Sequence, residues 1–163
     1  PEVALSYSES MIINGMGVMM APNFRWSRDK EKSGHYKKSY IKSGRTEIEE
    51  ILAIRCTIPN VSGVVFRKEA VKMKDLEKAI EFTQVGDWYL YLKLLESGKI
   101  AYNKRSLNKF RVHRKSATDR GGTHYDEVVK LHEKIKQKYK LSSRVLGAIK
   151  SEENRIKEKY GII

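Results

Sequence analysis

The period of apolar and polar positions changes along the chain, and each change predicts a different element. The opening EVALSYSESMIINGMGVMM alternates and is rich in branched residues, which is typical of a strand, and Asn14–Gly17 predicts a hairpin turn into a second strand. From Ala21 to Gly44 neither period is sustained, although aromatic and basic residues are frequent. We therefore predict a long, partly ordered surface loop there.

Helical spacing dominates the middle of the chain. RTEIEEILAIRCTI predicts a short helix with Thr46 as N-cap, and after Pro59 the residues Val61–Phe66 predict a strand. Two further helical segments are predicted, around Lys68–Met73 and over DLEKAIEF. The strongest helix is GDWYLYLKLLESG, in which apolar residues fall at i, i+3, i+4 and i+7 and a glycine supplies a C-terminal stop.

The last part of the chain predicts strands followed by helices. KIAY and SLNKFRVHR are interpreted as two short strands separated by NKR, and the residues after Tyr125 as two basic amphipathic helices that separate near Ser142. The first apolar stripe comprises Val128, Leu131, His132, Ile135 and Tyr139; the second comprises Leu146, Ile149, Ile156 and Tyr160. Together these elements predict a mixed α/β fold.

Composition narrows the class of protein. A chain of 163 residues, 40% hydrophobic and 33% charged, predicts one globular domain, and its longest apolar runs are far too short to span a membrane. The start PEVALSYS lacks the features of a signal peptide and an initiating Met, which suggests a piece of a longer protein. The single Cys56 favours a reducing compartment, and none of the four histidines can be placed beside it to form a catalytic pair.

The positive charge lies towards the C-terminus. The net charge is +13, and the residues after 100 hold 17 basic and 7 acidic side chains. Such a segment attracts nucleic acid, anionic lipid headgroups or phosphorylated ligands. Zinc-ligand spacing, the helix-turn-helix glycine pattern and an aromatic ribonucleoprotein strand are all missing from the sequence, which disfavours a nucleic-acid partner. A non-catalytic module that binds carbohydrate or a membrane surface remains an alternative function.

Asp87 and Trp88 open the strongest helix, and each has two interpretations. Asp87 could cap the helix, or it could act as a general base held at the helix start. Trp88 could offer a flat surface to a sugar ring, or it could belong to the core with the apolar residues that share its helical face. These residues alone do not choose between the alternatives.

Three motifs in order resemble the second half of family 2 glycosyltransferases, which are nucleotide-sugar enzymes of the GT-A fold. They are N-x-S-G-x-x-F-R from Asn60, G-D-W-x-L-x-L-x-L-L-x-x-G-x-I-A-Y from Gly86, and L-N-x-F-R-x-H-x-x-S-x-T from Leu107. The resemblance implies a partial GT-A-like fold with a β-hairpin, a short mixed sheet and C-terminal helices. It assigns residues 1–118 to the acceptor-side half and leaves 119–163 as basic amphipathic helices outside the family pattern.

The resemblance also implies roles for individual residues. Asp87 matches the family's catalytic base, although Gly86 stands where many members carry an acidic residue. Ser62 and Gly63 match the segment beside the acceptor, and Trp88 would face an acceptor sugar. Arg111 and His113 match a loop that closes over the donor diphosphate, where His113 could ligate the metal. For Ser62 and Gly63 the alternative is a strand entered after a turn, and for His113 it is a solvated strand end.

The donor-binding half of the family is not found in this sequence. The Asp-x-Asp motif that holds Mg or Mn against the diphosphate does not occur, and Asp29 with Glu31 lies in a lysine-rich loop far from that position. The resemblance implies a cytoplasmic enzyme of bacterial surface polysaccharide synthesis, at the inner face of the membrane, that joins a nucleotide-sugar donor to a glycan or lipid-linked acceptor. We expect this chain alone to be inactive, to leave one sheet face uncovered, and to form a homodimer through it.

Overall fold

The structure is a computed structural model that describes residues 2–24, 35–112 and 121–162. Within these residues the strands are β1 (Val3–Ile13), β2 (Met19–Ala21), β3 (Tyr40–Ser43), β4 (Val64–Phe66) and β5 (Lys99–Arg111). The α-helices are α1 (Gly44–Glu47), α2 (Met73–Ala79), α3 (Gly86–Leu95), α4 (Gly121–Lys138) and α5 (Ser143–Lys159). The predicted mixed α/β class is confirmed.

Strand β1 organises the sheet. It pairs in parallel with β5 and in antiparallel fashion with β2 and β4 along its other edge, while β3 pairs with the far side of β5. The predicted hairpin is confirmed, since the Asn14 side chain accepts the N–H groups of Met16 and Val18 at 2.9 and 3.0 Å. Gly17, with φ of 86°, completes the turn in a conformation that favours glycine.

The prediction of two short strands around NKR is wrong, because β5 is one continuous strand. Its register against β1 places Asn103 opposite Ser8 and Ser106 opposite Glu9, so Lys104 and Arg105 are extra residues on the β5 side. A bulge of this kind lets a strand carry a polar insertion without ending its pairing. The polar run therefore bends β5 instead of breaking it.

The predicted loop from Ala21 to Gly44 ends too late, because β3 occupies its last residues. The predicted N-cap is also wrong: Ser43, not Thr46, caps α1, and its Oγ accepts the Thr46 N–H at 3.4 Å. α1 continues as a π-helical turn, Ile48–Leu52.

Close packing fixes the start of α1. A Cβ added to Gly44 would lie 2.3 Å from the carbonyl oxygens of both Leu95 and Gly98, and the Gly44 N–H donates to Gly98 O at 2.9 Å. Only glycine fits between these backbone groups. The helix therefore begins where the chain passes the end of α3.

The segment predicted as a strand over Val61–Phe66 is a strand only from Val64. Val61–Gly63 forms a 3₁₀ turn, because the Asn60 side chain accepts the Gly63 N–H at 2.9 Å. A second 3₁₀ turn, Lys68–Ala70, stands where a helix was predicted over Lys68–Met73, and α2 begins only at Met73. Local side-chain hydrogen bonding replaces regular structure in the first of these turns.

One hydrophobic core joins the sheet, α3 and both C-terminal helices. The helices separate where predicted, since the Ser142 Oγ caps α5 by accepting the Val145 N–H at 3.3 Å. The predicted stripe of α4 is buried as a whole: Val128, Leu131, His132, Ile135 and Tyr139. In α5 the stripe is shifted, because Val145 is buried and Leu146, which was predicted, is 42% exposed.

The outer face of the sheet is open in part. Register places Val65, Ser6, Ala101 and Ile41 side by side across β4, β1, β5 and β3. Val65 is 74% and Ile41 64% exposed, whereas Ala4 and Ser8, on the same side of β1 as Ser6, are buried. The face is therefore open at β4 and β3, and its full exposure stays a prediction. Parallel strand pairs such as β1 and β5 ordinarily lie in sheets covered on both faces.

Replacing Tyr91 with Phe should raise the free energy of unfolding by about 1 kcal/mol. Tyr91 is 1% exposed in α3, and its hydroxyl has no hydrogen-bond partner among the described residues. Removing a buried hydroxyl of this kind removes its desolvation cost without breaking a bond. Urea unfolding of the variant measures the change. Tyr7→Phe is the matched control, because the Tyr7 hydroxyl lies 2.9 Å from that of Tyr40 and its loss should be destabilising.

Candidate functional site

Asp87 lies in the first turn of α3, two residues after Val85, whose side chain cannot cap a helix. One carboxylate oxygen of Asp87 accepts the Trp88 N–H at 2.7 Å. The side chain therefore satisfies one of the free N–H groups at the helix start, as the capping interpretation predicts. That contact also fixes the orientation of the carboxylate, which a general base requires.

Asp87 faces a cavity of about 260 Å³ between the start of α3 and the C-terminal helices. Burial raises the pKa of its carboxyl, and hydrogen bonds from the backbone oppose the rise in part. A raised pKa makes the ionised carboxylate a better proton acceptor. The cavity also has an apolar wall, formed by Ile58, Val85, Trp88, Val128 and Ile156.

The polar wall of the cavity contains paired charges and two neutral hydrogen-bonding groups. Glu152 binds Arg155 through contacts of 2.6 and 2.8 Å and lies 3.4 Å from Arg55. Burial lowers the pKa of His124, as does the nearby Lys159, so the imidazole is neutral at pH 7. Gln84 and His124 can thus donate to or accept from hydroxyl groups.

Glu127, on α4, holds the loop that leads into Asp87. Its Oε1 accepts the N–H and the hydroxyl of Thr83, each at 2.8 Å. Its Oε2 accepts the N–H groups of Gln84 at 2.8 Å and of Val85 at 3.2 Å. Burial alone would raise the pKa of this carboxyl, but the hydrogen bonds outweigh it and lower the pKa. The loop and the N-cap residue Val85 are therefore held by a carboxylate more than forty positions away in sequence.

Sequence reasoning did not find Glu127, His124, Gln84, Arg55 or Arg155 as site residues. All five lie outside the three motifs. The amphipathic pattern of α4 predicts which of its residues are buried, but it gives no signal for which loop a surface carboxylate will reach. Only the packing of α4 beside α3 brings Glu127 to this loop.

Trp88 belongs to the core. It is 4% exposed, its indole N–H donates to Leu52 O at 2.9 Å, and its ring meets the ring of His132 edge to face at 5.6 Å between centroids. Although Trp88 lines the Asp87 cavity, a ring that is 4% exposed offers too little surface for a sugar to stack on. Of the two interpretations of Trp88, the structure agrees with the core role.

Ser62 and Gly63 lie in the 3₁₀ turn before β4, apart from the residues that line the Asp87 cavity. Ser62 is exposed. A Cβ on Gly63 would lie 2.5 Å from the Asn108 side-chain nitrogen, so the glycine permits a close approach to β5. The turn is held to β1 by the Asn60 amide, which donates to the Ser10 Oγ at 2.7 Å.

Arg111 lies at the opposite end of β5 from the α3 connection. Its guanidinium donates to the carbonyl oxygens of Asn14 at 3.1 Å and Gly15 at 2.8 Å, which braces the hairpin. His113 lies outside the described residues. Within residues 2–24, 35–112 and 121–162, no group of three or more His, Cys, Asp or Glu side chains could hold a metal ion.

The C-terminal helices bury their apolar stripes in the core and carry their basic residues outward. Their apolar faces are thus already occupied by the sheet and α3. No helix in the described ranges has the length and hydropathy to cross a membrane. Any contact of these helices with an anionic surface would have to be electrostatic.

Comparison of the chain with protein-family models, with curated proteins and with solved structures gave no match.

Proposed function

We propose that this chain is the acceptor-side part of a nucleotide-sugar-dependent glycosyltransferase that inverts the donor sugar and has Asp87 as its general base. The observation that carries the proposal is the position of Asp87, whose carboxylate lies at a helix start and lines a cavity. The three motifs, whose order and spacing resemble those of family 2 glycosyltransferases, support the same role.

In the proposed reaction the acceptor enters the cavity with one hydroxyl directed at Asp87. The carboxylate takes the hydroxyl proton as the oxygen attacks the anomeric carbon of the donor sugar. The bond from that carbon to the nucleoside diphosphate breaks, and the diphosphate leaves with the bonding electron pair. Since attack and departure occur on opposite faces of the sugar, the configuration inverts.

The cavity favours a neutral, hydroxyl-rich acceptor group. Its two arginines share Glu152, and its remaining polar groups include Gln84 and neutral His124. A volume near 260 Å³ is just below the usual range for small-molecule sites, which suits one sugar unit at the end of a glycan or lipid-linked acceptor.

A divalent metal for the diphosphate is not provided by the described residues of this chain, which offer no suitable cluster of ligands. The proposal therefore places Mg or Mn, and the donor site, on residues of a longer parent protein. The parent would work on the cytoplasmic side of a bacterial membrane, in surface polysaccharide synthesis. The basic outer faces of α4 and α5 would then meet anionic headgroups.

The test is transfer by the parent protein. Release of nucleoside diphosphate should depend on both acceptor and nucleotide-sugar, and it should be lost in the Asp87→Asn variant. A parent that releases no diphosphate with any nucleotide-sugar, yet binds glycans or anionic vesicles, would favour the non-catalytic module instead.

The open sheet face should make the chain self-associate when it is studied alone. Val65 on β4 and Ile41 on β3 expose apolar side chains at the two sides of this face, with β1 and β5 between them, and a second copy could cover both. Sedimentation velocity should show a dimer whose population falls when both residues are changed to Lys. A monodisperse monomer at high concentration would contradict this prediction.

A further inference from the structure

The loop before α3 is held by α4, and the N-cap residue of α3 makes no side-chain capping hydrogen bond. Val85 occupies the N-cap position and has no side-chain oxygen, and Asp87 accepts the Trp88 N–H at this helix start. The N–H groups of Val85 and of the two residues before it therefore depend on an acceptor from another element. Glu127 supplies both carboxylate oxygens to three consecutive backbone N–H groups and one hydroxyl, at distances between 2.8 and 3.2 Å.

The same loop is tightly packed on its other side. A Cβ on Gly86 would lie 2.4 Å from the carbonyl oxygen of Ala79, so the chain passes directly against the end of α2. Glu127 and α2 thus constrain the loop from two sides, immediately before Asp87. A displacement of the loop would carry Asp87 with it, because the two are joined through a single residue.

We propose that Glu127 is a positioning residue, which holds the Asp87 carboxylate at the reacting hydroxyl by clamping Thr83–Val85. The inference rests on the proposed function, and it makes the C-terminal helices part of the catalytic unit. Glu127 acts through backbone geometry and touches no substrate. A carboxylate is suited to this task, since each of its oxygens can accept two hydrogen bonds.

Glu127→Gln tests the proposal. The amide keeps the size of the side chain, but its NH₂ group would face N–H donors on one side, so the clamp loses about half of its bonds. In the parent protein we expect kcat to fall roughly ten- to hundred-fold with little change in KM for the donor, since small misplacement of a catalytic group costs up to about a hundred-fold. Glu127→Asp, which keeps the charge with a shorter reach, should recover part of the loss.

Two measurements distinguish a positioning role of Glu127 from a role in the stability of the fold alone. In this chain, hydrogen exchange at the Gln84 and Val85 amides should accelerate in Glu127→Gln, while exchange within the core of α3 should not. In the parent, a loosened Asp87 gains solvent, so its pKa should fall and the acid limb of kcat/KM should move to lower pH. A loss of folded protein alone would scale the whole profile without moving that limb.

Glu133→Gln is the matched control. Glu133 lies on the same helix, its side chain is 56% exposed, and among the described residues it pairs only with Lys136, at 2.9 Å. The Glu133→Gln variant loses the same negative charge as Glu127→Gln but makes none of the described contacts with the Thr83–Val85 loop. Its kcat and pH profile should therefore equal those of the unaltered parent. If Glu127→Gln does not fold, Glu127→Asp carries the same measurements.

The outcomes distinguish this inference from the proposed function. If Asp87→Asn is inactive while Glu127→Gln keeps full kcat and an unmoved acid limb, the positioning role is overturned and the base assignment stands. If Asp87→Asn keeps its activity, the proposed function itself fails. Slower turnover in Glu127→Gln together with a shifted acid limb supports both.

Discussion

Replacing Asp87 with Asn in the parent protein should lower kcat by about a hundred- to ten-thousand-fold, the usual contribution of general-base catalysis. Asn has nearly the same size, and its Oδ1 can still accept the Trp88 N–H that Asp87 accepts at 2.7 Å. The proton acceptor is lost, but the contact at the helix start is kept. We therefore expect the melting temperature to change little, and kcat and melting temperature should be measured side by side.

The pH dependence gives an independent check on the same residue. A general base works only when ionised, so kcat/KM should be lost as the pH falls through the pKa of Asp87. Because burial raises that pKa, the acid limb should lie above the ordinary range of an exposed carboxyl. Asp75→Asn, an acid in the first turn of α2 that does not line the cavity, is the control. An Asp87→Asn enzyme with most of its activity would leave Asp87 as a helix-capping residue only.

Replacing His132 with Ala should lower the free energy of unfolding by roughly 3 to 5 kcal/mol. The ring is fully buried, with Nδ1 3.0 Å from the Glu153 carboxylate and Nε2 3.1 Å from Ile54 O. Each ring nitrogen thus lies within hydrogen-bond distance of a buried oxygen. Removing the ring leaves a cavity against Trp88 and takes away both contacts. Urea unfolding followed by circular dichroism measures the loss.

The control for His132 is Lys136→Ala. Lys136 lies on the same helix and reaches Glu153 at 3.6 Å from the solvent side. Exposed ion pairs contribute little, so this variant should lose no more than about 1 kcal/mol. Equal losses in the two variants would mean that the ring's buried contacts do not stabilise the docking of the C-terminal helices.

The hairpin at Asn14–Gly17 and helix α3 could be predicted from the sequence because their causes are local. The hairpin depends on the Asn14 side chain, which accepts hydrogen bonds within its own turn. Helix α3 depends on an apolar face that recurs at helical spacing over ten residues. The buried stripe of α4 could be predicted for the same reason, because its residues recur at helical spacing. Asp87 was placed correctly at the start of a helix because that start is part of the local pattern.

The predictions from sequence were wrong where contacts between residues far apart in the chain determine the local structure. A polar run in β5 stayed within the strand because β1 pairs with it on both sides of a bulge, and α1 starts at Gly44 because the end of α3 leaves room only for hydrogen. Glu127 reaches its loop only once α4 has packed beside α3. Hydrophobic periodicity predicts which face a helix buries, but it does not predict which neighbour that face will meet.

The pairing of β1 with β5 also has a consequence for how the chain folds during synthesis. Val3 lies opposite Lys99, and Ile13 lies opposite Arg111. Strand β1 is therefore synthesised nearly a hundred residues before its parallel partner β5. At the usual rate of translation this interval is roughly 5 to 20 seconds. Strand pairing across such a separation is also slow to nucleate, because the entropy of closing the loop must be overcome first. During that time β2 and β4 are the partners of β1 among the described strands, and both pair with one edge of β1. Its other edge is open to chaperones or to a neighbouring nascent chain.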